Sequence, residues 1–167
     1  PSYLKAGVKY YSYDGHYFYT DYATMLSDYQ NNTRSNSVNP KSPYYNYYQY
    51  LPMRTVTSYS SSTLSSMINS RSSSSSKMYN TGNSFVNNQN TYGVNALLMT
   101  GIAANESAWG SSSIAKNKNN LFGLNAVDSS PGTSSYTYAS LDVCIKDFAN
   151  GWMSRGYLNP KDWRYFG

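Results

Sequence analysis

The sequence has very few residues that form disulfides or bind metals. It contains one cysteine, Cys144, and one histidine, His16, among 167 residues. A single cysteine excludes an intramolecular disulfide, and one Cys with one His cannot supply a familiar set of zinc ligands. We therefore expect no metal and no cofactor, and we predict that Cys144 is a small residue of the core.

Long hydrophobic runs and charged residues are also scarce. No stretch reaches the ~18 to 20 apolar residues of a membrane-spanning helix. Charged residues make up 13% of the chain, and 13 basic residues against 8 acidic ones give a net charge of +5. This excess suits an anionic partner, but Lys116 and Lys118 are the nearest approach to a basic patch, which disfavours nucleic-acid binding. We expect a monomer without a membrane span.

Tyrosine, in contrast, is abundant, with 20 residues. Residues 1–57 are predicted to form a Tyr-rich N-terminal segment packed on the body of the protein. Within it, KYYSYDGHYFY (residues 9–19) has two aromatic runs about Asp14-Gly15, a dipeptide typical of tight hairpin turns. We predict a β-hairpin there, with His16 as a surface residue.

Several segments space their apolar residues as amphipathic helices do. Helices are predicted from Asp21 to Gln30, within residues 58–76, from Ser76 to about Asn90, from Val94 to Glu106, and after Ser140. With one hairpin, this pattern predicts a mostly helical α+β fold.

The chain contains a single glutamate, Glu106, and it ends the predicted core helix that begins at Val94. The negative end of the helix dipole disfavours a charged carboxylate there, which favours a carboxylic acid able to donate a proton. Ser107 and Ser111 are interpreted as caps of a helix that begins near Ser112 rather than as nucleophiles, because the only histidine is far away in the sequence.

The stretch NESAWGSSSIAKNKNNLFGLNA (residues 105–126) combines Glu-Ser, an aromatic-Gly pair and a later Asn-x-Phe-Gly. This combination resembles the lysozyme-like peptidoglycan hydrolases, and most closely the glucosaminidase domain of glycoside hydrolase family 73, of the Gram-positive autolysin or phage lysin type. The likeness covers roughly residues 76–157. It implies a lysozyme-like domain at residues 58–167 with a small β-lobe. Related domains continue past the helix near Trp152, so we expect this domain to be truncated at its C-terminus.

The resemblance implies an endo-β-N-acetylglucosaminidase that cleaves the GlcNAc-β-1,4-MurNAc bond of peptidoglycan, with Glu106 as the general acid in a sheltered cleft. For a second carboxylate we favour Asp128, in NAVDSSPGTSSYTYAS. It could position water, although an Asp has a short reach for a nucleophile and could simply form a turn. The substrate's own 2-acetamido group could act instead. The other later carboxylates are Asp142, Asp147 and Asp162.

Four further residues are expected by resemblance to bind substrate. Asn120 and Phe122 would build the cleft floor, although core packing explains Phe122 equally well. Tyr136 or Tyr138 would stack on a sugar ring, because an aromatic face matches the apolar face of a pyranose.

Two alternatives stay open from the sequence. A muramidase or lytic transglycosylase cuts the other glycan linkage with a single Glu, and a non-catalytic cell-wall-binding module would hold glycan on its Tyr-rich surface. In every case the implied partner is the peptidoglycan glycan strand. The implied location is the cell wall, reached by a secreted or a phage-encoded protein.

Overall fold

A computed structural model describes residues 1–127 and 129–166 and shows two compact units, Pro1–Leu51 and Pro52–Gly167. The boundary lies a few residues before the one expected after residue 57. The two units are described separately below.

The N-terminal unit is organised around a buried carboxylate, Asp28. It lies on helix α1 (Tyr22–Gln30), which Asp21 begins by accepting a hydrogen bond from the backbone N–H of Thr24. Asp28 is 2% exposed and accepts hydrogen bonds from the Tyr19 hydroxyl and from the Asn36 backbone and side chain. Burial alone would raise the pKa of Asp28, but these hydrogen bonds outweigh it and lower the pKa. A short 3₁₀-helix, Tyr47–Gln49, lies near the end of this unit.

The predicted hairpin is reduced to one antiparallel pair of residues, Tyr11 and Tyr19, which exchange two backbone hydrogen bonds of 2.8 Å. Gly15 has the positive φ (+75°) expected of a turn. The ladder does not extend because neighbouring backbone groups bond elsewhere. Phe18 accepts a hydrogen bond from the N–H of Val38, and its own N–H donates to the Asn39 side chain.

The C-terminal unit is helical, as predicted. The described residues include six α-helices followed directly by a π-helix, Phe148–Tyr157. The α-helices are α2 (Ser61–Asn69), α3 (Gly82–Tyr92), α4 (Ala96–Glu106), α5 (Ser113–Lys118), α6 (Pro131–Ser134) and α7 (Leu141–Asp147).

Side-chain caps explain most of the helix starts. Ser60, Asn95, Ser112 and Ser140 each accept a hydrogen bond from a backbone N–H of the first turn. The predicted start of α3 at Ser76 was wrong, because the left-handed Asn80 (φ 61°) keeps the backbone out of the helical region just before Gly82. Gly93, also left-handed, ends α3 as predicted.

The predicted β-lobe has no strand in its described residues. The described residues between 119 and 136 form turns and the single helical turn of α6. The reason is local, because Asn119, Gly123 and Asn125 all have positive φ values, which interrupt an extended backbone every few residues.

One hydrophobic core joins the helices of this unit, and Cys144 lies in it with no exposed surface, as predicted. The thiol accepts a hydrogen bond from the backbone N–H of Leu121. Burial raises the pKa of Cys144 to about 11, so the thiol stays protonated at neutral pH and is chemically inert. No helix in the described part of the chain has the length and apolar character needed to cross a membrane.

Alanine substitutions at two helical glycines are predicted to have opposite effects on stability. An ideal Cβ at Gly82 would lie 2.4 Å from the backbone nitrogen of Ser65, because α2 and α3 touch there, whereas a Cβ at Gly101 would meet no described atom within 4 Å. We expect Gly82→Ala to lower the free energy of unfolding by about 1–3 kcal/mol through overpacking. Gly101→Ala should raise it by about 0.5–1 kcal/mol through helix propensity. Urea denaturation followed by circular dichroism measures both, and equal effects would contradict the close approach of α2 and α3.

Candidate active site

Helix α4 carries Glu106 at its last position. The helix is anchored at its start by Asn95, whose side chain accepts from the N–H groups of Leu97 and Leu98. Met99 and Ala103 face the core with no exposed surface. The glutamate therefore extends from a helix that core packing holds rigidly.

The chain reverses sharply after Glu106 through three consecutive left-handed residues. Ala108, Trp109 and Gly110 have φ values of 49°, 56° and 73°. A left-handed conformation costs a residue with a side chain roughly 1–2 kcal/mol, so this turn persists only because its surroundings hold it. The buried Ser107 hydroxyl donates to the carbonyl of Ala103 (2.5 Å) and accepts from the N–H of Gly110 (2.7 Å).

A preceding segment completes this turn. The Ser76 hydroxyl donates to the carbonyl of Trp109 (2.5 Å), and the N–H of Lys77 donates to the carbonyl of Gly110 (3.1 Å). Trp109 is partly buried against the core, as expected for a residue that fixes the turn. Sequence reasoning missed Ser76 and Lys77, because a Ser-rich segment carries no signal for a tertiary contact more than thirty residues along the chain.

The Glu106 carboxylate lies beside Gly123, the last residue of the Asn-x-Phe-Gly stretch. An ideal Cβ at Gly123 would lie 3.9 Å from Oε2 of Glu106, and Gly123 is left-handed (φ +61°). Within the described residues, the carboxylate accepts one long hydrogen bond, 3.4 Å from the Asn105 amide, and forms no ion pair. The two halves of the sequence motif thus meet in space.

Glu106 is exposed to solvent. The resemblance implied a sheltered position, whereas the described residues do not bury Glu106. The carboxylate is open to an approaching ligand.

Asn120 fastens the loop that carries Gly123. It is 1% exposed, and its amide donates to the carbonyls of Leu124 (3.0 Å) and Tyr136 (3.1 Å), while its Oδ1 accepts from the N–H of Leu124 (3.0 Å). Both donors and the acceptor of the amide are thus used within the protein. The side chain supports this loop and has no donor left for a ligand.

Phe122 lies beneath the same loop as a core residue. It is 6% exposed, and its ring stacks on Phe148 of the π-helix with centroids 3.8 Å apart and planes at 3°. The stacked rings bury apolar area against each other. The loop is thereby fixed to the π-helix.

The two expected tyrosines have different environments. Tyr136 is 45% exposed, whereas Tyr138 is partly buried against the core and its hydroxyl donates to Oδ2 of Asp147 (2.7 Å). Their rings meet edge to face at 6.4 Å and 89°. Of the two, only Tyr136 presents a large ring surface to a ligand.

Asp128, the favoured second carboxylate, lies outside the described residues. Its neighbours form a turn in which the N–H of Val127 donates to the Ser134 hydroxyl and the N–H of Ser130 donates to the carbonyl of Val127. No group of three or more His, Cys, Asp or Glu side chains suited to a metal occurs in the part of the chain that the structure describes.

Comparisons with known proteins agree on the class. The chain is 28% identical over 165 residues to two proteins from different strains of Streptococcus pneumoniae, provisionally named endo-beta-N-acetylglucosaminidase. These alignments cover 91% of this chain but 25% and 23% of the relatives. The chain thus spans about a quarter of the length of the curated relatives it matches.

Two solved structures of Staphylococcus aureus autolysin E share the fold. One, a catalytic mutant in complex with the disaccharide NAG-NAM, matches 92% of this chain and 67% of its own with a TM-score of 0.55 and 20% identity. The other, in complex with the muropeptide NAM-L-Ala-D-iGlu, matches 89% and 64% with a TM-score of 0.52 and 22% identity. The fold is therefore that of an autolysin-like helical protein.

A family model specifies the class further. The glucosaminidase model, described as mannosyl-glycoprotein endo-beta-N-acetylglucosaminidase, matches residues 82–166. That range includes Glu106, the loop of Asn120 to Gly123, and both tyrosines. The chain belongs to the glucosaminidase family.

The Tyr138–Asp147 pair predicts a loss of stability at alkaline pH. Burial, followed by the hydrogen bond to Asp147, raises the pKa of Tyr138 above its usual range. Because the pKa is higher in the folded than in the unfolded state, Tyr138 stabilises the fold fully at a pH below its unfolded-state pKa of about 10. This stabilisation is lost as the pH rises towards the pKa of the folded state. Above about pH 10, we expect the unfolding free energy of wild type to fall more steeply than that of Tyr138→Phe.

Urea denaturation at several pH values between about 8 and 11 measures this difference in slope. Tyr79→Phe is the matched control, because Tyr79 is 38% exposed and its hydroxyl makes no hydrogen bond with the described residues. It should follow wild type. Identical slopes for wild type and Tyr138→Phe would show that the Tyr138 hydroxyl is not held in this way.

Proposed function

We propose that this chain is the glucosaminidase unit of a peptidoglycan hydrolase, an endo-β-N-acetylglucosaminidase that cleaves the GlcNAc-β-1,4-MurNAc bond. Glu106 is the general acid. Family membership over residues 82–166 supports the reaction class. The complexes of autolysin E with a NAG-NAM disaccharide and a muropeptide support the substrate class.

One observation carries the assignment of the site, namely that the only glutamate of the chain ends a rigid helix and lies against Gly123. Because glycine has no side chain, the space beside Oε2 of Glu106 stays open where any other residue would place a Cβ. A sugar ring can therefore approach the carboxylate along the loop.

The chemistry needs a proton delivered to the glycosidic oxygen, which is a poor leaving group. Glu106 forms no ion pair with a described cation. A bound glycan strand would cover the exposed carboxylate and exclude water from it.

A second group must stabilise the positive charge at the anomeric carbon or activate water. We propose Asp128, on the loop between Gly123 and Tyr136, in the role of positioning water. The other route is attack of the substrate's own 2-acetamido oxygen on the anomeric carbon as the glycosidic bond breaks, followed by water opening the cyclic intermediate. Asp128→Asn separates the two, because it lowers kcat only if the carboxylate takes part.

Tyr136 is proposed to stack on a sugar ring, since its ring is the exposed one of the pair. Asn120 and Phe122 contribute indirectly. Asn120 bonds the loop backbone, and Phe122 fixes the loop to the π-helix. The proposed partner is the glycan strand of peptidoglycan and the proposed location is the cell wall, with the protein acting as a monomer.

A wall-binding module without catalysis is the second candidate. It is favoured by a cluster in sequence of four exposed tyrosines in the N-terminal unit, which leave 56–68% of their surface to solvent: Tyr45, Tyr47, Tyr48 and Tyr50. Aromatic rings of this kind suit the apolar faces of sugars. Such a module would bind cell walls without any need for Glu106.

Glu106→Gln distinguishes the two candidates. The substitution keeps the shape of the side chain and removes its proton-donating ability, so we expect the rate of cell-wall lysis to fall by at least about 100-fold. Turbidity of a wall suspension measures lysis, and co-sedimentation with walls measures binding, which should be retained. Asp142→Asn is the matched control, because it removes one negative charge from the same unit and keeps an acceptor for Ser84. Equal lysis by wild type and Glu106→Gln would favour the binding module.

The products identify the bond. After digestion and borohydride reduction, mass spectrometry should show reduced glucosamine at the new reducing ends. Reduced muramic acid would instead indicate a muramidase, and an anhydro sugar would indicate a lytic transglycosylase. Either result would contradict the proposed specificity.

A further inference from the structure

Asp147 lies where α7 ends and the π-helix begins, and both of its carboxylate oxygens are in close contact with the protein. Oδ2 accepts the hydrogen bond from the Tyr138 hydroxyl at 2.7 Å. Oδ1 lies 2.8 Å from the position that a Cβ would take at Gly151, so the carboxylate packs directly on the glycine of the next turn. The side chain is therefore held in one orientation.

Tyr138 is fixed at its backbone as well as at its hydroxyl. Its N–H donates to the carbonyl of Lys118 (2.8 Å), and its carbonyl accepts from the Asn119 side chain (3.0 Å). Hydrogen bonds therefore hold Tyr138 both at its backbone and at its hydroxyl, which lies at the far end of the ring.

Tyr136, two residues earlier, is constrained only at its backbone. Its N–H donates to the carbonyl of Leu124, the residue after Gly123, and its carbonyl accepts from Asn120. The ring is 45% exposed, and the ring of Tyr138 packs against it edge to face. The orientation of the exposed ring thus depends on where Tyr138 is held.

We infer that Asp147 is a positioning residue for glycan binding, which orients the sugar-stacking face of Tyr136 by anchoring the intervening ring of Tyr138. Asp147 does not touch the substrate in this role. Oδ2 accepts from the Tyr138 hydroxyl, and Oδ1 packs against Gly151. The inference rests on the proposed function, because it assigns Tyr136 to a sugar.

The expected loss of glycan affinity follows from the edge-to-face contact between Tyr136 and Tyr138. An edge-to-face aromatic pair contributes about 0.5–1.5 kcal/mol, and 1.4 kcal/mol is a factor of ten in affinity. Loss of the anchor should therefore weaken glycan binding by about 2-fold to 10-fold. The rate of bond cleavage at saturation should change little, because Glu106 and Gly123 are on other parts of the backbone.

A double-mutant cycle on the full chain tests this coupling. The variants are Tyr138→Phe, Asp147→Ala, Tyr136→Ala, and Tyr136→Ala combined with each of the other two. The dissociation constant of a soluble muropeptide tetrasaccharide is measured by calorimetry with each variant in a Glu106→Gln background, which prevents cleavage. KM, kcat and the melting temperature are measured with Glu106 present. Tyr79→Phe is the control for loss of a tyrosine hydroxyl.

We expect Tyr138→Phe and Asp147→Ala to raise the dissociation constant and KM by about 2-fold to 10-fold with kcat almost unchanged. In the Tyr136→Ala background neither should have a further effect, because the ring that they orient is absent. Asp147→Asn, which keeps an acceptor for the Tyr138 hydroxyl, should restore most of the affinity.

Other outcomes overturn the inference. Additive effects in the double mutants would show that Asp147 does not act through Tyr136. A lower melting temperature with unchanged affinity would show a purely structural role, and a large fall in kcat would show a direct one. If wild type binds the tetrasaccharide but does not cleave it, the proposed function fails while the binding cycle still decides the inference. If wild type does not bind it, the inference fails too.

Discussion

The hydroxyl of Ser107 is the contact on which the proposed active site depends. It is buried, and it joins the last turn of α4 to the N–H of Gly110 across three residues of left-handed backbone. Together with the bonds from Ser76 and Lys77, this bridge holds Ala108 and Trp109 in an unfavourable conformation. Because the turn is held from both sides, Glu106 ends its helix at a defined point and does not fray into solvent.

The opposite side of the site depends on a second polar residue, Asn120. Its side chain replaces the backbone pairing that a β-lobe would have supplied, by bonding Leu124 and Tyr136 at once. The loop is therefore ordered without a strand. Buried polar side chains that use every hydrogen bond hold irregular backbone well, since leaving any one of them unpaired would be costly.

These two anchors show how a protein with little charge can present one reactive carboxylate. Helix α4 fixes the position of Glu106, and the loop leaves the surface open at Gly123. Tyr136 exposes an aromatic ring on the same loop region. Glu106 is exposed in this arrangement. In the proposed reaction the substrate itself would therefore complete the enclosure, in keeping with a long polymeric glycan strand.

The sequence predicted much of this arrangement where the signal was local. The helical spacing from Val94, the cap at Ser140 and the burial of Cys144 were confirmed, because caps and apolar periodicity depend on residues a few positions apart. The predicted capping of α5 by Ser107 and Ser111 was wrong, because Ser112 accepts the hydrogen bond from the N–H of Ala115. The extended hairpin was not found, since Phe18 bonds residues 38 and 39 that are distant in sequence. The early start of α3 failed for a different reason, because a left-handed asparagine has only a weak signature.

The sequence by itself determined that the chain is helical, that it has no set of zinc ligands, and that one glutamate stands beside a recognisable motif. Tertiary structure alone decided that Gly123 lies beside Glu106 and that the Asn120 side chain makes its hydrogen bonds to the loop backbone. It also decided that Tyr136 and not Tyr138 is exposed. The physical reason is that composition and periodicity act within a turn or two of helix. Which buried donor finds which acceptor is settled only when distant segments pack together.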